Sequence, residues 1–246
     1  MGNYRWEIRL GTALVVVSAL VYFVHYALFH DAHHIFIYLV GDIAFVPIEV
    51  LLVTVLIHRL LEQREKSQKL EKLNIVIGAF FSEVGTRMLA HLSDSDPNLE
   101  DIKSFLVVEQ DWGAKDFTTA CSKLELYDYE IDISKVNLTC MRDMLVAKRE
   151  FLVRLLENPI LLEHESFTTL LQAVFHATEE LEARDDLSTL PESDIQHLQG
   201  DLLRAYTQLV GQWIGYMQHL NANYPYLFSL AMRLNPFDRS SSAVVK

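Results

Sequence analysis

The run IFIYLVGDIAFVPIEVLLVTVLI, residues 35–57, decides the fold. At about 1.5 Å per residue it is just long enough to span a bilayer core with some tilt. Two acids, Asp42 and Glu49, and one proline, Pro47, stand inside it. An acid at membrane depth is expensive to keep, so by default it marks a functional pathway or a deliberate polar contact. The spacing of the two acids is close to two helical turns. It sets both carboxylates on one face, roughly 10 Å apart along the axis. Tyr38, Phe45 and Leu56 fall on the same face.

Upstream lies LGTALVVVSALVYFVHYALF, residues 10–29, with no Asp, Glu, Lys or Arg. It reaches about 30 Å as a helix, the thickness of a bilayer core. Arg5 and Arg9 could form the n-region of a cleaved signal peptide. The apolar run is too long for that, and no small-x-small cleavage pattern follows it, so a retained span is expected. The connector His30-Asp-Ala-His-His34 is short, which predicts an antiparallel hairpin. Arg5 and Arg9 precede the first span, Arg59, Arg64, Lys66, Lys69 and Lys72 follow the second, and the connector has none. Both termini are therefore expected in the cytoplasm of a plasma membrane. Tyr4 and Trp6 suit an interfacial belt on the inner side.

Pro47 cannot donate to the carbonyl of Ile43 and should kink or loosen the second span. A freed carbonyl beside two acids is tolerated only against protein or a water-filled cavity. A two-helix hairpin cannot enclose a cavity alone, so the acids imply a homo-oligomer. A ring of subunits would stack Asp42 above Glu49, and carboxylate rings attract and select cations. A structural alternative stays open. Asp42 could snorkel to the outer interface or cap the backbone at Gly41. Glu49 could be protonated and hydrogen-bonded to Thr54 or to a neighbouring subunit.

Four of the ten histidines, His25, His30, His33 and His34, cluster with Asp31 around the connector. Imidazole takes Zn, Cu or Ni readily, so this collar is a candidate transition-metal site, although its spacing fits no closed zinc signature. An interfacial polar collar or an external pH sensor reads equally from the same residues. No other cofactor is expected.

The chain holds 33 acids and 21 bases, a net charge of -12. Four acids and three bases fall in residues 1–59, so about -11 of that charge lies on residues 60–246. Such a domain is not a nucleic-acid partner, and only the stretch from Arg59 to Lys72 suits anionic lipid. Cys121 and Cys140 are expected to be reduced thiols and form no CxxC or nucleophile signature.

Residues 60–237 read as one cytoplasmic helical bundle, followed by a flexible tail, 238–246. A charged neck leads into LNIVIGAFFSEVG (73–85), apolar on more than half its circumference. Ser93-Asp-Ser-Asp-Pro-Asn98 breaks the chain. Helices are expected at about 99–110, 114–128, 134–156, 161–184, from near Pro191 to about 220, and 226–234. His176 with Glu180, and His197 with Asp201, stand four apart on facing candidate helices. Carboxylate-histidine pairs in a bundle can hold metal, but the di-iron Glu-x-x-His pattern is missing and such pairs are common on helix surfaces. There is no phosphate-binding glycine loop, HExxH or GxSxG, so no enzymatic activity is expected.

The segments GDIAFVPIEVLLVTVLIHRLLEQREK (41–66), LNIVIGAFFSEVG (73–85) and YPYLFSLAMRLNPFD (224–238) resemble an uncharacterised family of short prokaryotic two-span membrane proteins. The resemblance implies a prokaryotic plasma membrane and assigns no site residue. The expected architecture is all-α: a transmembrane hairpin, residues 1–59, and a helical domain. The leading functional expectation is a homo-oligomeric, cation-conducting channel or pore with Asp42 and Glu49 on its path. The alternative is a membrane-anchored binding or signalling module without transport.

Overall fold

The computed structural model describes residues 4–159, 161 and 164–244. The described residues are helical and contain no strand. They divide into two compact units, Met1–Lys66 and Ser67–Lys246.

In the first unit, Leu, Val and Ala carry helix α1 (Tyr4–Phe29), and the Thr12 hydroxyl donates back to the Ile8 carbonyl at 2.8 Å. His30 follows in the left-handed region, with φ 52°. Asp31 then accepts from the backbone N–H of His34 at 3.1 Å, which satisfies an orphan donor at the start of helix α2 (Ala32–Phe80). The rings of His25 and His34 stack across this corner at 6.2 Å. A straight continuation of α1 would hold those residues about 13 Å apart, so the chain bends sharply here. Helix α2 continues through Pro47. The two N-terminal helices are long and apolar enough to cross a membrane.

In the second unit the buried stripe begins at Leu73, Ile77, Phe80 and Phe81, and continues through Val84 and Met88 to Leu92. Ideal α-helical turns would carry Leu92 about 100° off that face. A π-helical turn, Phe81–Gly85, absorbs the difference before helix α3 (Thr86–Ser93), with the Thr86 N–H donating to the Phe81 carbonyl. The predicted helix over 99–110 forms only two 3-10 turns, Leu99–Asp101 and Lys103–Phe105. Tertiary contacts override local propensity there: the Asn235 amide donates to the Leu106 carbonyl at 2.9 Å, and Leu106 and Val108 are buried. Helix α4 (Ala114–Glu125) starts where Asp116 accepts from the Gly113 N–H at 2.8 Å.

The helix expected over 134–156 is two, α5 (Leu138–Val146) and α6 (Arg149–Leu156). The break falls at Lys148, whose Nζ bonds Glu83 at 2.6 Å. Helix α7 (Glu165–Glu182) packs along α8 (Glu192–Asn223), and α9 (Pro225–Arg233) takes its proline in the first turn. The start of the predicted 161–184 helix touches residues outside those described. Helix α8 is central to the unit, packed on α3, α4, α7 and α9. Trp213 and Tyr206 on α8 are buried, and Phe81 meets Trp213 edge-on and stacks on Tyr216. The buried Asp96 carboxylate accepts from the hydroxyls of Tyr127 at 2.9 Å and Tyr206 at 3.3 Å. Beyond α9, Phe237 is buried, the Ser242 N–H bonds the Arg233 carbonyl, and Arg239 pairs with Asp94.

Candidate functional site

Asp42 and Glu49 lie on α2 with their side chains exposed among exposed apolar neighbours such as Ile43, Phe45, Ile48 and Leu52. Neither makes a hydrogen bond or ion pair with any described residue, and Glu49 is not joined to Thr54. Pro47 sits between them inside the helix. The histidines around the connector do not converge on a common point. His25 and His34 stack on each other, His34 also meets Tyr38 edge-on, His30 lies beside Tyr26, and Asp31 caps α2. His33 is exposed.

The convergence occurs in the other unit. The α7–α8 hairpin is antiparallel, and its register sets His176 opposite Asp201 and Glu180 opposite His197. One ligand atom from each of these four residues lies within 4.8 Å of the others. His176 Nε2 and His197 Nε2 each stand 3.4 Å from Asp201 Oδ2. Glu180 reaches His197 Nε2 through Oε2 at 3.6 Å and His176 Nε2 through Oε1 at 3.8 Å. The four-residue spacing within each helix projects both members of a pair onto one face.

Burial across the group is uneven. The Asp201 side chain is 4% exposed, while His176 and His197 are 45% and 53% exposed. The site is thus a buried carboxylate with two imidazoles at the solvent side. Asp201 Oδ2 has no hydrogen-bond partner, whereas Oδ1 accepts from Arg204 at 2.9 Å. A buried carboxylate oxygen that accepts no hydrogen bond is costly, and its two imidazole neighbours stand at ion-pair distance only, so a water or a cation between them would be stabilising.

Arg184, just past the end of α7, braces the group from the loop side. Its guanidinium takes both oxygens of Asp194 at 2.8 and 2.6 Å, and it also bonds Glu180 Oε2 at 2.8 Å and the Glu180 carbonyl. Its hydrogen bonds hold the carboxyls of Glu180 and Asp194 below the usual range. The charges of His197 and His176 add to this at Glu180. With neutral imidazoles, the carboxylates of Glu180, Asp194 and Asp201 outweigh the guanidiniums of Arg184 and Arg204 by one negative charge.

The histidine-carboxylate spacing is visible in the sequence. The bracing residues Arg184, Asp194 and Arg204 carry no such signal, because their place depends on the register of the hairpin. The two pairs meet because the loop between α7 and α8 lets the facing turns align.

Residues 69–233 match a family model described as "Uncharacterized protein MJ1433, C-terminal helical domain", and residues 2–61 match "MJ1433, N-terminal helical domain". The chain is 45% identical over 241 residues to the "Uncharacterized protein MJ1433" of Methanocaldococcus jannaschii, covering 98% of this chain and 97% of that one. No solved structure matches. The gap between the two matched segments contains the boundary between the two structural units.

Proposed function

The chain belongs to the MJ1433 family, and on that premise we propose that it is an integral membrane protein whose two N-terminal helices anchor a helical binding domain at the cytoplasmic face. One contrast carries this reading. The most apolar stretches of the two N-terminal helices are 0% buried, whereas Ser67–Lys246 has its own core of Phe80, Phe167, Leu209, Trp213 and their neighbours. Exposed apolar area costs about 25 cal/mol per Å² in water and nothing comparable in hydrocarbon. The lysines and arginines from Arg59 to Lys72, which follow the second apolar run within α2, favour the cytoplasmic side for the domain. The test is fractionation. The full chain should stay with membranes through alkaline carbonate washing, and residues 67–246 alone should be soluble and folded. Release of the full chain by salt would overturn the anchor.

A second reading is favoured by Asp42 and Glu49, which have no hydrogen-bond or ion-pair partner among the described residues. In hydrocarbon such acids require another subunit or water. On this reading the spans assemble a homo-oligomer with a cation path along the two carboxylates. Cation flux into liposomes should then differ between wild type and Glu49→Gln at matched oligomeric state. A monomer, or equal flux in both, would remove the pore and leave the anchored domain.

A further inference from the structure

We propose that His176, Glu180, His197 and Asp201 bind one divalent first-row transition-metal ion. The inference deepens the binding-domain reading above, since it names the ligand class of that domain. Three observations support it independently of the sequence spacing.

Geometry comes first. Bonds of about 2.0–2.2 Å to imidazole nitrogen and carboxylate oxygen place tetrahedral donor atoms about 3.4 Å apart. Asp201 Oδ2 stands 3.4 Å from the Nε2 atoms of both His176 and His197, and Glu180 Oε1 stands 3.8 Å from that of His176. A single ion between the groups would need only small side-chain adjustments.

The second observation is the buried Asp201 Oδ2. It faces both imidazole Nε2 atoms at 3.4 Å, yet no hydrogen bond reaches it. A charge-assisted hydrogen bond would draw nitrogen and oxygen to about 2.7–2.9 Å, shorter than these separations. A cation held jointly by the three atoms satisfies it instead.

The third is the arrangement around the donors. Arg204 holds Asp201 through Oδ1 and Arg184 holds Glu180 through Oε2. Asp201 thereby keeps Oδ2 for an ion and Glu180 keeps Oε1, the oxygen 3.8 Å from His176 Nε2, while the other oxygen of each fixes its orientation, the usual office of outer-shell partners. With both imidazoles neutral, as ligation requires, the residual negative charge favours a cation. The exposed imidazoles leave a solvent side through which it can enter.

The donor set selects the ion class. Two imidazoles and two carboxylates suit Zn, Co, Mn, Fe or Ni in the divalent state. Calcium and magnesium prefer all-oxygen sites, and no thiolate is present to favour Cu(I). Cys121 and Cys140 do not belong to the group.

The experiment uses the full chain, purified in detergent and stripped with chelator. Co(II) is titrated in and followed by visible absorption, and Zn(II) by calorimetry. The expected result is one ion per chain, with Zn(II) displacing Co(II). His197→Gln and Asp201→Asn should each weaken binding at least ~10-fold with the helical circular dichroism intact. Zn(II) should raise the melting temperature of the wild type and not of Asp201→Asn. A variant with His30, His33 and His34 all changed to Ala should keep the stoichiometry and affinity. Absence of binding in the wild type would overturn the proposal. So would binding that survives both bundle substitutions and disappears with the three connector histidines. Membrane fractionation reads the anchor separately: a chain that binds one ion but washes off membranes keeps the site and loses the anchor.

Discussion

A Cβ built on Gly85 would lie 2.6 Å from Phe81 Cδ1 and 2.8 Å from Phe80 Cε1. Neither ring can retreat. Phe81 is held between Trp213 and Tyr216, and Phe80 meets Phe167 edge-on at 5.5 Å. Gly85→Ala should therefore destabilise the domain by about 1–3 kcal/mol through overpacking. Gly211 provides the opposite case on α8, where an added Cβ meets nothing within 4 Å. Gly211→Ala should stabilise by up to ~1 kcal/mol, because alanine loses less chain entropy in a helix. Urea denaturation of both variants beside the wild type checks the pair. Equal shifts in the same direction would mean that space around the glycine is not what decides the sign.

At the scale of elements, the C-terminal part of α8 is tied to the Ser67–Phe80 part of α2 through His219. The side-chain amides of Asn74 and Asn223 lie 3.1 and 3.2 Å from its Nδ1. With both amides donating, that nitrogen must be an unprotonated acceptor. Burial lowers the His219 pKa from its ordinary 6.5, and the charge of Glu71 opposes the shift only in part. A depressed folded pKa means that the unfolded chain takes up the proton first. Stability is then highest above about 6.5 and falls as the pH drops through the window between the unfolded and folded values. The melting temperature should fall from pH 7.5 to 5.5, and by less in His219→Gln. Equal falls would assign the titration to another group. The Arg184 clamp acts in a lower range. The carboxyls of Glu180 and Asp194 are held below their usual values, so their contribution is present at neutral pH and is lost only as the pH falls below about 4.

For the whole molecule, the charge and burial patterns separate in the same way as the two units. The excess negative charge lies beyond residue 60, and the exposed apolar side chains concentrate before it. Residues 67–246 expressed alone should unfold cooperatively as a soluble domain, which a urea transition followed by two spectroscopic probes would check. The sequence alone determined the all-helical class, the two spanning-length apolar helices and their boundary with the polar domain, because those follow from run length, hydropathy and charge, which are local. It also determined the spacing of His176, Glu180, His197 and Asp201 within each helix, because a helical period needs no tertiary context. Only the tertiary structure decided that the two pairs share one point, that Arg184 and Arg204 hold their carboxylates, and that a π-helical turn keeps the stripe from Leu73 to Leu92 on one face. It also decided that residues 99–110 form turns and that residues 134–156 break at Lys148. Each of these depends on the register of packed helices and on side chains distant in sequence, which no local pattern encodes.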